Sequence, residues 1–193
     1  MTAYRLNNNI FEYSSAYVDF RALRRQFKKL SVEFSQNNES LISQLSTSWL
    51  PVDLDFQSDT KNKPIPDLSI WNMSCLVLNK KAKQALTPVI QLFGEFLPLE
   101  NDYYLFNCLT SLGGDAIDVN NAGVSLDDID PANIPKTLTL LPEKITGVPI
   151  FKPGFALNTF LVCQDDFKDT VISAELNGLL FEKNLAQLFP RIV

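Results

Sequence analysis

The chain has 193 residues, with 22 Asp+Glu against 17 Lys+Arg, a formal net charge of -5 and no histidine. Surface scaling lets a chain of this size bury about 70% of its unfolded surface, enough for a core without disulfides or a structural metal. Without an imidazole there is no Ser-His-Asp or Cys-His catalysis, no His-ligated zinc, haem or facial-triad iron, and no His pH switch.

Read in chain order, the first nine residues carry no apolar signal-peptide core. Tyr17, Phe20, Leu23, Phe27, Leu30 and Phe34 then recur at steps of three and four. From Phe20 onward they fall within one arc of about 80°, opposite Arg21, Arg24, Arg25, Lys28 and Lys29. The spacing predicts an amphipathic helix over residues 16–35, capped by Ser14 or Ser15. Residues 37–40 break it, and a short helical turn is expected over 40–46. Residues 51–56 alternate as a strand does. Residues 57–66 are polar and hold Lys61, Lys63, Pro64 and Pro66, which predicts a surface loop. That loop is the one candidate boundary between lobes of an otherwise single domain, 1–193.

Residues 73–78 read as a strand. Asn79 can cap a helix over about 80–92, which Pro88 should end or kink. Further strands are expected at 95–99, 102–109, 137–141, 148–151 and 159–163. A last helix is expected over 164–177, with Asp165 and Asp166 at its positive end and Gly178 just past it. Residues 179–181 make a closing strand. Helices and strands mix without a βαβ repeat, which predicts an α+β fold with a mixed, mostly antiparallel sheet, a few packed helices and the N-terminal amphipathic helix. No apolar run reaches the ~20 residues that span a bilayer. Cys75, Cys108 and Cys163 are far apart, form no C-x-x-C pair, and read as buried reduced thiols. The expectation is a soluble, cytoplasmic protein that does not engage a membrane.

No phosphate-binding glycine motif occurs. The most unusual feature is acidic. Asp115, Asp118, Asp127, Asp128 and Asp130 lie within sixteen residues, and no Lys or Arg occurs among the 52 residues from Gln84 to Pro135. Three uses compete for these carboxylates. A calcium loop beginning at Asp118 would find Asn120 and Gly123 at positions 3 and 6, but Ala122 and Ile129 where ligands are needed. An enzyme could use Asp115 and Asp118 as Mg²⁺ ligands or paired acid and base. A binding surface would attract a basic protein and repel nucleic acid. The basic face of the helix at 16–35 offers a further alternative, an adaptor that contacts phosphates. Trp71 and Tyr103 are the aromatic candidates for anchoring a partner.

The order of segments from about residue 66 to the end carries a resemblance. It runs through Pro66-Asp67-Leu68-Ser69, then Leu76-Val77-Leu78-Asn79 leading into Lys80-Lys81-Ala82. Glu95-Phe96-Leu97-Pro98, Tyr103-Tyr104-Leu105, Ala116-Ile117-Asp118 and Ile150-Phe151-Lys152 follow. Thr159 to Cys163 and Leu176-Asn177-Gly178-Leu179-Leu180-Phe181 close it. This order resembles the bacterial immunity proteins of polymorphic-toxin systems, immunity family eleven and its relatives. The resemblance covers roughly two thirds of the chain and leaves the first 65 residues outside. It implies a protein that binds and blocks a cognate toxin in the producing cell, with no catalytic residues, no cofactor and no metal. Such proteins accompany toxins delivered by contact-dependent or type VI secretion machinery. On this reading Asp115, Asp118, Asp127, Asp128 and Asp130, with Trp71 and Tyr103, would face a basic surface of the toxin.

Overall fold

The computed structural model describes residues 2–19, 21, 23, 44–60, 63–72, 74–122 and 138–186. In chain order its strands are β1 Ala3–Asn8, β2 Ser15–Val18, β3 Leu54–Gln57, β4 Leu68–Trp71, β5 Cys75–Leu78, β6 Gly94–Pro98, β7 Tyr104–Cys108, β8 Ser111–Leu112, β9 Ile150–Pro153, β10 Val162–Gln164 and β11 Leu179–Glu182. Its α-helices are α1 Lys80–Ile90, α2 Val119–Ala122, α3 Pro142–Ile145 and α4 Asp165–Ser173. The architecture is α+β. A four-stranded sheet runs β4-β5-β7-β6 and a five-stranded sheet runs β11-β1-β10-β9-β8, with β2-β3 as a separate pair. Every pairing between these strands is antiparallel except β8 with β9.

Burial on both faces explains why β5 is an unbroken apolar run and β4 is broken only by Ser69, whose hydroxyl accepts the Ala16 N–H at 2.9 Å. Successive strand residues face opposite sides, so a strand covered on both faces has no polar positions to show. Leu76 and Leu78 join a core that holds Ala82, Leu86 and Ile90 of α1 and Phe167 and Val171 of α4. Cys75 and Val77 point the other way, into a core with Ala16, Val18, Val52, Trp71 and Leu105. The five-stranded sheet is likewise covered. Tyr4 and Leu6 join the α1–α4 core, while Phe151, Phe160 and Val162 pack with Ile117, Leu140 and Leu185 on the far side.

The helix α1 forms where its cap and spacing place it. Asn79 Oδ1 accepts the Ala82 N–H at 2.8 Å, and Ala82, Leu86 and Ile90 are buried. Pro88 does not end it. The helix runs two residues further and tightens into a 3₁₀ turn, Gln91–Phe93. The helix α4 stops at Ser173 instead of reaching 177, because Asn177 and Gly178 are engaged with the segment before β4.

The N-terminal region corrects the expected helix. Residues 15–18 are strand β2, with Ala16 opposite Phe56 and Tyr17 opposite Asp55. Tyr17 satisfies both a two-residue and a three-to-four-residue spacing, and the partner strand decides between them. Among the described residues helical geometry appears at Arg21 and Leu23, beyond Asp19. The Asp19 carbonyl accepts the Leu23 N–H at 3.0 Å and its carboxylate accepts the Arg21 N–H at 2.8 Å, so Asp19 caps that turn rather than Ser14 or Ser15. The rest of the expected helix lies outside the described residues. Before it runs β1, a strand its polar composition hides. Tyr4 and Leu6 face one core, and Arg5 faces the other, 2% exposed. The Arg5 guanidinium lies 4.0 Å over the Phe160 ring and donates to the Leu185 carbonyl at 3.2 Å. Burial pushes its pKa down to about 10.

Other boundaries shift by a few residues. The expected 73–78 strand is the second arm of a hairpin, β4-β5, turning at Asn72 with φ 49°. The strand expected at 137–141 is reduced to one bridge, Ile117 with Leu140, among the described residues.

Candidate functional site

The residues expected to bind a partner fall into two groups. Asp115 lies in the 3₁₀ turn Gly114–Ala116, and its carboxylate pairs with Lys144 Nζ at 2.7 Å. That hydrogen bond lowers the Asp115 pKa and raises that of Lys144. Asp118 opens the helical turn α2, accepting the Asn121 N–H at 3.2 Å and the Asn121 Nδ2–H at 2.6 Å. Both border the core formed by Ile117 and Leu140. Asp127, Asp128 and Asp130 lie outside the described residues. Among the described residues no three Cys, Asp or Glu side chains gather as a metal site would require.

Trp71 and Tyr103 belong to another part of the molecule, the core between β2-β3 and the four-stranded sheet. Trp71 is 8% exposed and packs inside that core. Tyr103 is half-buried and reaches the surface. Its ring lies 5.3 Å from the Phe56 ring at 57°, a tilted aromatic pair. Burial raises the phenol pKa, and the Asp67 carboxylate adds to the rise.

The Phe56–Tyr103 pair forms one wall of an open pocket of about 470 Å³, completed by Leu54, Ile65, Ser14 and Lys63. Hydrogen bonds hold the facing loop. Ser14 N–H donates to the Pro64 carbonyl at 3.0 Å, and Lys63 Nζ bonds both the Ile10 carbonyl and Asp59. One carboxylate lines this pocket and two more lie on the segments beside it. Asp55 lines it, and Asp53 lies two residues back along the same segment. Asp53 approaches Glu100, the residue that donates its N–H to the Val52 carbonyl at 3.2 Å. The hydrogen bond and charge of Asp53 raise the Glu100 pKa, as expected for two carboxyl groups competing to ionise. Among the described residues no Lys or Arg pairs with Asp53, Asp55 or Glu100. Asp102, next along, pairs with Lys80 at 3.9 Å.

The sequence reading names Tyr103 and does not name the carboxylates beside it. The signal was present in Asp53-Leu54-Asp55-Phe56, where two outward carboxylates alternate with two inward apolar side chains.

A comparison with family models matches residues 24–185 to the Imm11 immunity protein family. The chain belongs to that family. No curated protein matches it. The Imm11 match reaches 42 residues further towards the N-terminus than the motifs that begin at Pro66. It assigns the chain to a group concerned with toxin immunity.

Several motif residues of this Imm11 chain turn out to hold segments together. Asp67 N–H donates to Asn177 Oδ1 at 3.0 Å, and Asn177 N–H donates to Asp67 Oδ2 at 3.1 Å. Asn79 Nδ2 donates to Asp67 Oδ1 at 2.7 Å, tying the helix cap into the same joint. Gly178 follows with φ 106°, and a Cβ there would meet the Leu68 carbonyl at 2.1 Å. Lys152 is fully buried, and its Nζ donates to Asn107 Oδ1 at 3.2 Å. Asn107 Nδ2 donates to Glu95 Oε1 at 2.9 Å, and Glu95 accepts the Leu45 and Ser46 N–H groups at 2.6 and 3.0 Å. This network links the two large sheets to the segment before β3. The three cysteines are free and buried, which raises their pKa values, that of Cys108 to about 11. No helix among the described residues is long and apolar enough to cross a membrane.

Proposed function

We propose that this Imm11 protein neutralises a cognate toxin by binding it without covalent chemistry, using the Tyr103 pocket and the carboxylates beside it. One observation carries the reading. An aromatic-walled pocket lies beside three carboxylates, Asp53, Asp55 and Glu100, that have no cationic partner among the described residues. A toxin whose basic surface presents Lys or Arg would supply that partner. The Phe56–Tyr103 rings would stack on a guanidinium or an aliphatic stem.

Charge would set the speed of capture and packing its duration. An acidic face raises the association rate for a basic protein, and burial of aromatic anchors slows release. Asp115, Asp118, Asp127, Asp128 and Asp130 add to the same field, and an acidic chain of this kind repels nucleic acid. Trp71 supports Tyr103 from within the shared core. The protein acts as one domain in the cytoplasm of the cell that makes both partners, against a toxin of the contact-dependent or type VI kind.

The test is stopped-flow binding to the toxin domain encoded beside the gene. Charge reversal by Asp53→Lys with Glu100→Lys should cut the association rate about tenfold and flatten its salt dependence. Unchanged kinetics in that variant would remove this surface from the interface.

A further inference from the structure

A second concave surface lies on the opposite face of the four-stranded sheet, where α1 ends beside the start of α4. Val89, Leu92, Phe93 and Pro149 floor it, and Asp166 and Asp169 of α4 form its wall, around a space of about 520 Å³. Leu92 is 87% exposed, the most exposed large hydrophobic side chain among the described residues. Ile172, one turn beyond Asp169, is 59% exposed. A lone exposed leucine needs no explanation. An exposed leucine on the floor of an apolar groove is a different matter, because such surfaces mark contact sites.

The charges around this groove are unbalanced. The lysines of α1 lie at its other end and are engaged there. Lys80 pairs with Asp102 at 3.9 Å, Lys81 donates to the Glu175 carbonyl at 2.9 Å, and Lys83 lies 3.7 Å over the Tyr104 ring. Lys168 turns away from the groove to lie 4.2 Å over the Tyr4 ring. Among the described residues none pairs with Asp166 or Asp169. The occupant must therefore bring both an apolar edge and a cation.

We propose that this groove takes a basic amphipathic segment of the partner toxin, with an aliphatic side chain on Leu92 and Phe93 and Lys or Arg against Asp166 and Asp169. The identity of the partner rests on the toxin-binding reading above. The chemistry of the groove does not. Helix-in-groove recognition uses this combination of apolar anchors and flanking charge. The Tyr103 pocket opens on the other side of the sheet, so a short segment cannot fill both.

The experiment uses the full-length protein and a fluorescein-labelled amphipathic helical peptide of leucine and lysine, with a leucine–glutamate peptide as control. Saturable binding of the lysine peptide alone is expected, with NMR shifts at the amides of Leu92, Phe93, Asp166 and Asp169. L92E, or D166K with D169K, should weaken it at least tenfold. Ile10→Ala, at an exposed aliphatic position outside both pockets, should leave it unchanged. These positions are exposed or at the groove rim, and a thermal melt confirms that each variant folds. Absence of saturable binding, equal affinity in the groove variants, or shifts centred on Tyr103 would each overturn the groove proposal. The toxin-binding reading is tested separately with the toxin itself, so the two can fail independently.

Discussion

The Asp67 and Asn177 side chains exchange bonds with each other's backbone across 110 residues of sequence, Asp67 N–H to Asn177 Oδ1 at 3.0 Å and Asn177 N–H to Asp67 Oδ2 at 3.1 Å. The pair clamps the entry to β4 against the entry to β11, and so joins the two large sheets. A carboxylate that accepts backbone N–H groups makes charge-assisted bonds, stronger than neutral ones. Asp67→Ala should therefore cost about 2–3 kcal/mol in urea unfolding. Asn177→Ala should cost less, and the double variant should fall short of the sum, because the two share one interaction. Full additivity would show that the joint is not cooperative.

Gly178 sits beside that joint, with φ 106° and the Leu68 carbonyl 2.1 Å from where a Cβ would stand. Gly178→Ala meets both a left-handed backbone and a carbonyl that cannot step aside. The expected loss is about 2–4 kcal/mol, read from the same denaturation curves. Gly147, with φ 76° and open space around its Cβ position, is the comparison. Alanine there should cost about 1 kcal/mol, from backbone strain alone.

Lys152 tests the buried polar network. Its ammonium bonds Asn107, which bonds Glu95, which holds the Leu45 and Ser46 N–H groups. Lys152→Ala leaves a cavity and takes a donor from Asn107, and should cost about 3–5 kcal/mol. Lys152→Met keeps the volume and should recover part of the loss. Equal destabilisation by both would show that charge rather than packing dominates.

Acid should weaken the fold through Asp165 and Asp115. The Thr2 N–H and Tyr4 hydroxyl lower the Asp165 pKa, and Lys144 lowers that of Asp115. A depressed carboxyl binds fewer protons in the folded chain than in the unfolded one. Its stabilisation is present above the ordinary carboxylate range and is lost as pH falls through the folded value. Asp115 is exposed and Asp165 half-buried at the surface, so each contribution is small. Glu100 works in the opposite sense. Its raised pKa favours the fold at low pH, and that contribution is lost as pH rises through the folded value. Urea midpoints between about pH 5 and pH 3 should decline less steeply in Asp165→Asn and more steeply in Asp53→Asn.

The parts of the fold legible in the sequence are those set by local contacts. Asn79 with Ala82, Leu86 and Ile90 announces α1, and Phe167 with Val171 announces α4. What depends on distant partners was hidden. The strand β1 reads as polar because Arg5 is buried against Phe160, and Asn8 uses its carboxamide on the Ile70 backbone, at 2.8 Å to the carbonyl and 2.6 Å from the N–H. The segment around Tyr17 reads as helix because a strand opposite Phe56 and Asp55 is not visible locally. The site shows the same division. Tyr103 was expected from its residue type alone, while Phe56, Asp53 and Glu100 come near it only through the Glu100 N–H bond to the Val52 carbonyl and the core that β3 shares with the four-stranded sheet. The motif order from Pro66 onward pointed to the family, and some of its residues, Asp67, Asn79, Asn177 and Gly178, are those that hold the sheets together.

Tyr103 offers the sharpest test within the pocket. If its ring anchors the toxin beside Phe56, Tyr103→Ala should speed dissociation by tenfold or more while leaving association nearly unchanged. Tyr103→Phe keeps the ring and should stay near the wild-type rate. A purely electrostatic interface would show no effect of either change.

Neutralisation by reversible capture is tested most directly by titrating the purified toxin domain with this protein, dissociating the complex and determining the mass of the released toxin. A saturable, stoichiometric complex in which the toxin is inactive is expected, then a toxin of unaltered mass that regains activity on release. Protection without a complex, or a toxin released with changed mass and no activity, would contradict it.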